Sequence, residues 1–82
     1  MKTIVWSQTR CSYCDQAKAL LTSKGIEYEE RLIGEGFTKQ DLIAAVPNAR
    51  SVPQIFLHGE YVGGFNELRK KLQETYEHPA SK

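Results

Sequence analysis

The only two cysteines of this chain stand at positions 11 and 14. Where they fall constrains the fold more than their spacing does. They lie between a compact β-branched and aromatic run, Lys2 to Trp6, and a stretch whose apolar residues Ala17, Leu20 and Leu21 recur at helical intervals. Ser7-Gln8-Thr9-Arg10 is a polar loop between the two. Cys11 therefore belongs at a helix start, and Cys14 one turn inside. A secreted chain of this length that relies on disulfides usually carries several pairs. A bridge between these two would close a very short loop, where the entropic gain is smallest. A closed zinc site needs a full tetrahedral ligand set, and His58 in a turn and His78 near the end do not complete one. The pair reads as redox chemistry at a strand-to-helix junction.

Composition narrows the setting. Eighty-two residues make one domain, against a usual range of about 100–200 residues each. Eleven basic and ten acidic residues give a net charge of +1. That balance argues against a broadly electropositive nucleic-acid binder. No apolar run approaches the roughly 20 residues of a membrane helix. The opening Met1 to Trp6 has neither the length nor the cleavage site of a signal peptide. The expectation is a cytoplasmic protein with no nucleic-acid or membrane partner.

The remaining punctuation gives an element order. A helix runs from about Ser12 to Lys24 and stops at Gly25. Ile26 to Ile33 alternates as a second strand with one wet face or edge. Strand, helix and strand then form a right-handed parallel unit. Gly34-Glu35-Gly36 is a loop without the flanks of a phosphate-binding motif. Thr38-Lys39-Gln40-Asp41 resembles a capping box, and its short helix ends near Val46, before Pro47. Gln54 to Leu57 is a strand, His58-Gly59-Glu60 a turn, and Tyr61-Val62 the returning strand. Gly63-Gly64 breaks the chain. Asn66 is the predicted cap of a last helix reaching about Glu77, with Leu68 and Leu72 on its buried stripe and Phe65 and Tyr76 extending it. The domain spans residues 1–77, and 78–82 form a frayed tail. The order β-α-β-α-β-β-α implies a three-layer α/β sandwich with a four-stranded mixed sheet.

A helix start stabilises an anion through its unpaired N–H groups and its dipole. A thiolate at Cys11 gains from this, so its pKa should fall below the free value of about 8.5. Arg10 adds positive potential beside it. Cys14, one turn in, should be the more buried. Cys11 is thus the attacking thiolate and Cys14 the resolving thiol.

With those residues in place, the chain resembles the glutaredoxins of the thioredoxin-fold superfamily. Cys11-Ser12-Tyr13-Cys14 is similar to the family's C-P-Y-C. Arg50-Ser51-Val52-Pro53-Gln54-Ile55-Phe56 is similar to its R-T-V-P-x-I-F. Gly63-Gly64-Phe65-Asn66-Glu67-Leu68 is similar to its G-G-x-D-D-L. Ala17 to Leu21, followed by Gly25-Ile26, carries the first helix and its exit. The likeness runs from residue 1 to about 76, and the W-C-G-P-C of thioredoxin proper is absent.

The resemblance implies a thioredoxin-like sandwich. It implies glutathione-dependent reduction of protein disulfides and glutathione mixed disulfides through Cys11 and Cys14. It also implies a cis Val52–Pro53 bond whose Val52 backbone groups meet an extended peptide such as glutathione. Gly64 would allow close approach of that ligand. The N–H groups of Phe65, Asn66 and Glu67 would bind its γ-glutamyl carboxylate. Tyr13 would line the groove, with Arg10, Arg50 and Ser51 completing the glutathione set.

Three positions depart from the pattern. Gln8 stands where the family often has Lys, Ser12 where it has Pro, and Asn66 where it has Asp, leaving Glu67 to supply the charge. Some members without that proline hold a [2Fe–2S] cluster between two subunits. Each subunit's first cysteine and a bound glutathione are then the ligands. That is the alternative reading, with Cys11 as the metal ligand; in the enzyme reading there is no metal. The resemblance further implies a monomer, with ribonucleotide reductase among its protein partners.

Overall fold

The structure, a computed structural model, describes residues 2–73. Strand β1 (Ile4–Ser7) is central. It pairs in parallel with β2 (Glu29–Leu32) and antiparallel with β3 (Gln54–Leu57), and β4 (Glu60–Gly63) pairs antiparallel with β3. The sheet order is β2-β1-β3-β4. Helices α1 (Ser12–Ser23), α2 (Lys39–Ala45) and α3 (Phe65–Leu72) complete the predicted β-α-β-α-β-β-α order.

Strand alternation sorts the core into two layers. Val5, Ile55 and Leu57 pack with Ala17 and Leu21 of α1 and Leu68 and Leu72 of α3. Trp6, with Ile4 and Phe56 beside it, packs on the opposite face against Leu42 of α2 and Val46. Leu21 and Leu68 are fully buried, so truncating either to alanine should cost about 2–5 kcal/mol.

Local chemistry explains the ends of the elements. Gly25, at φ +73°, ends α1. Its N–H donates to Thr22 O at 3.0 Å, and that of Ile26 to Leu21 O at 3.0 Å. These two bonds, with Ile26 and Leu21 in one core cluster, make a Schellman closure. It also corrects the predicted start of β2. Ile26 is spent on closing the helix, so pairing begins only where Glu29 N–H reaches Thr3 O at 2.8 Å. The resulting edge strand is charged, as exposed edges tend to be. Lys2 and Arg31 both pair with Glu29, and the Arg31 guanidinium lies 5.4 Å from the ring centres of Trp6 and Phe37.

Thr38 and Asp41 form the expected reciprocal cap of α2, with bonds of 3.1 and 2.9 Å. The hairpin turn is tighter than predicted. His58 (φ +52°) and Gly59 (φ +88°) are both left-handed, the pattern of a type I′ turn, so Glu60 already belongs to β4.

The predicted cap of α3 is corrected. Gly64, not Asn66, is the N-cap, and Asn66 is the second helical residue. Two bonds decide this. Leu68 N–H donates to Gly64 O at 2.9 Å, and Gly64 N–H donates to the Glu67 carboxylate at 3.0 Å. The predicted run to Glu77, the role of Tyr76 and the 78–82 tail lie outside the described residues.

Candidate active site

Cys11 is the N-cap of α1, in extended conformation at φ −114°. Its Sγ accepts the Cys14 backbone N–H at 3.1 Å. This is the helix-start donor that the sequence reading called for, now directed at sulfur. Cys11 and Cys14 form a disulfide with a Cα–Cα distance of 5.2 Å. The two sulfurs are unequally placed. Cys11 is half-buried on a groove, while Cys14 is 1% exposed. Arg10, immediately before the pair, is left-handed at φ +59°, a conformation that non-glycine residues seldom adopt.

The second arm of the site is the loop before β3. The Val52–Pro53 bond is cis, as the resemblance implies. Cys11 Sγ lies 3.8 Å from the Val52 carbonyl oxygen. The loop is held by a side chain that the sequence reading passed over. Gln54 is buried, donates Nε2 to Ser51 O at 2.9 Å, and accepts from the Tyr61 hydroxyl at 2.6 Å. Tyr61 in turn packs on Phe56 at 5.4 Å between ring centres. The signal was present: a strand-opening glutamine cannot be buried without partners for its amide.

The expected ligand residues gather around Cys11 in two groups. Arg10, Tyr13, Arg50, Ser51 and Val52 line one cavity of about 520 Å³ with Cys11. Gln8 lines it too. Pro53 is buried, and its carbonyl would lie 3.5 Å from a Cβ placed on Gly64, which brings the Gly64–Glu67 segment against the loop. Phe65 connects this second group to the first through Tyr13, at 6.1 Å between ring centres. Asn66 and Glu67 are exposed there. The Glu67 carboxylate, expected to supply charge for a ligand, is bonded to Gly64 N–H as a cap. Sequence reasoning also missed Lys39 and Ile43 of α2, which line the same cavity. Their separation of one turn was the available signal. A larger depression of about 910 Å³ lies by Lys2, Gly25 and Tyr28 and contains neither cysteine.

One turn beyond Cys14, Lys18 Nζ lies 2.7 Å from Glu30 Oε2, which also accepts the buried Ser7 hydroxyl at 2.6 Å. The Lys18 ammonium, aided by Ser7, holds the Glu30 carboxyl below its usual range. The same bond raises Lys18.

The sequence model of the glutaredoxin family matches residues 3–62. The chain belongs to the glutaredoxin family. Glutaredoxin 3 of Escherichia coli K12 is 34% identical over 64 residues, covering 78% of this chain and 77% of the relative. The solution structure of reduced E. coli glutaredoxin is similar at a TM-score of 0.76 and 31% identity, over 94% of this chain and 99% of that one. A buckwheat glutaredoxin–glutathione complex is similar at a TM-score of 0.77 and 25% identity, over 94% of this chain and 73% of that one. Membership identifies this glutaredoxin as a thiol–disulfide oxidoreductase and its fold as the thioredoxin-like sandwich. Among the described residues, no helix is long and apolar enough to cross a membrane.

Proposed function

We propose that the protein reduces protein disulfides and glutathione mixed disulfides, with glutathione as the electron donor. The observation that carries this reading is the asymmetry of the pair. Cys11 opens on the groove with a helix N–H on its sulfur, while Cys14 is sealed behind it. The Cys11 thiolate attacks a substrate disulfide, breaking its S–S bond and forming a mixed disulfide on Cys11. The departing sulfur leaves as a thiolate and takes a proton. Cys14, deprotonated, then attacks the Cys11 sulfur, releases the second substrate sulfur and leaves the Cys11–Cys14 disulfide. Two glutathione molecules restore the dithiol and become glutathione disulfide.

For binding, Val52 would pair with the peptide backbone of glutathione beside Tyr13. Arg10, Arg50 and Ser51 would hold one end. The Gly64–Phe65–Asn66–Glu67 segment, against Pro53, would offer the helix-start N–H groups to the γ-glutamyl carboxylate. Asn66 supports this from inside the first turn of α3. The buckwheat relative, solved with glutathione, is consistent with this assignment. To this reading the family resemblance adds a cytoplasmic monomer working from the glutathione pool, with a protein such as ribonucleotide reductase as substrate.

The test is turnover of a glutathionylated peptide. Cys11→Ser should abolish it, and Cys14→Ser should retain much of it, because free glutathione can resolve the mixed disulfide on Cys11. Activity surviving in Cys11→Ser would sink the assignment. Trapping with Cys14→Ser would identify the protein substrates.

Nothing in the donor set favours the iron–sulfur reading over this one. Among the described residues, no group of three or more His, Cys, Asp or Glu side chains comes together. Among the described residues, Cys11 is the only half-exposed sulfur, so a cluster would need Cys11 of a second chain and a glutathione bound to each, as that reading requires.

A further inference from the structure

Among the described residues, His58 and Arg10 are the two that have a positive φ without being glycine. His58 belongs to the β3–β4 hairpin, whose type I′ turn requires that conformation. Arg10, at φ +59°, has no hairpin to explain it. Its side chain is exposed, and among the described residues it makes no ion pair or hydrogen bond that could draw the backbone there. A left-handed backbone costs an ordinary residue free energy and persists only where the surroundings impose it.

What imposes it is the fixed geometry at both ends of the loop. Ser7, the last residue of β1, is fully buried and held by side chain and backbone alike. Its hydroxyl donates to Glu30 Oε2 at 2.6 Å, and its carbonyl accepts the Ile33 N–H at 2.8 Å. After Gln8, Thr9 and Arg10 the chain must already be a helix cap. Cys11 is extended at φ −114° and ψ 101°, and its carbonyl accepts the Asp15 N–H at 3.1 Å. Its Sγ accepts the Cys14 N–H at 3.1 Å and lies 3.8 Å from the Val52 carbonyl oxygen. With β1 fixed, turning φ of residue 10 to a negative value swings Cys11 about the Arg10 N–Cα bond. Both of those sulfur contacts are then lost.

We propose that Arg10 is a positioning residue through its backbone. The left-handed turn at residue 10 aims Cys11 Sγ at the Cys14 N–H and the groove, and so sets the reactivity of that sulfur. This role is separate from any contact of the guanidinium with glutathione. It rests on the exchange reading, in which Cys11 attacks, and adds what places the attacking atom. A residue that enters the left-handed region readily keeps Cys11 reactive, and a β-branched residue does not.

The experiment compares Arg10→Gly, Arg10→Asn and Arg10→Val, which remove the same charge and differ in their tolerance of the turn. The reduced full chain is alkylated with iodoacetamide at pH 7 and the adduct at Cys11 is followed, a measurement that involves no glutathione. The Gly and Asn variants should react at similar rates. The Val variant should react about tenfold more slowly, the size of one hydrogen bond lost from a charged acceptor. In turnover of a glutathione mixed disulfide, KM should rise alike in all three, because each lacks the guanidinium, while kcat is lowest in Arg10→Val. Equal alkylation of the Gly and Val variants overturns the proposal, and a lower urea midpoint in the Val variant would then assign the turn to the fold alone. If Arg10→Val does not fold, Arg10→Ala replaces it, and its rate should fall below those of the Gly and Asn variants. Unequal alkylation with no turnover by the wild-type protein would uphold the placement of the sulfur and overturn the exchange reading instead.

Discussion

The Gln54 side-chain amide donates to the Ser51 carbonyl at 2.9 Å across the loop that carries Val52 and Pro53. The same side chain accepts the Tyr61 hydroxyl at 2.6 Å. A buried glutamine thereby links edge strand β4 to the backbone opposite Cys11. Tyr61→Phe removes one of these bonds and should cost about 1 kcal/mol, read as a lower urea midpoint at constant slope. Gln54→Leu should loosen the Ser51 end of the loop. In assays with a glutathione mixed disulfide its KM should rise several-fold while kcat changes little. A fall in kcat at unchanged KM would show that the loop acts on chemistry rather than on binding.

Unequal exposure of the two sulfurs sets the reactivity of the reduced protein. Cys11 is half-buried on the groove and Cys14 is 1% exposed. A short pulse of iodoacetamide at neutral pH should give one adduct, located at Cys11 by peptide mass analysis. Cys14 should react only when the protein is unfolded. Comparable labelling of both cysteines in the folded protein would remove the basis for their separate roles.

Much of this architecture was legible in the sequence because local signals agreed with one another. The cysteine pair, the Thr38–Asp41 cap and the β-branched and aromatic run from Lys2 to Trp6 are each signals carried within a few residues of chain. Failures arose where a residue had two possible uses. Ile26 reads as strand by alternation, yet its N–H is taken by the end of α1. Asn66 reads as a helix cap by residue type, yet Glu67 bonds back to Gly64 and moves the cap two residues earlier. Gln54, Lys39 and Ile43 were missed for another reason. Their significance depends on partners distant in sequence, such as Tyr61 for Gln54 and the Cys11 groove for α2.

Gly63 and Gly64 should respond differently to alanine. Gly63 sits at φ +124°, and an added Cβ would lie 3.1 Å from Glu67 Cγ, so both backbone and packing resist it. Gly64 has an ordinary negative φ, and its Cβ would lie 3.3 Å from Glu67 Oε1 and 3.5 Å from Pro53 O. Gly63→Ala should therefore cost about 1–3 kcal/mol of stability. Gly64→Ala should cost less, but its methyl group stands between the cis-proline loop and the start of α3. Its effect should appear mainly as weaker glutathione binding by titration calorimetry. Equal destabilisation with unchanged binding would contradict the close approach assigned to Gly64.

The Lys18–Glu30–Ser7 chain predicts an acid-side loss of stability. Glu30 has a folded-state pKa below its usual value because Lys18 and Ser7 stabilise the carboxylate. The unfolded state therefore holds the proton more tightly, and stability is lost as pH falls through the depressed folded-state value. Above the ordinary carboxylate range the contribution is fully present. Lys18 is raised by the same bond, so its share fades only as pH climbs through its own elevated value. The pair is partly exposed, which limits its worth to about 0.2–1 kcal/mol. Glu30→Gln keeps an acceptor for the Ser7 hydroxyl but removes the titrating group. Urea midpoints at pH 7 and pH 3 should converge more closely in this variant than in the wild type, with the difference appearing at pH 7. A variant as stable as the wild type at pH 7 would show that Lys18 is equally well placed in solvent. The charge would then do nothing to hold α1 over the end of β1.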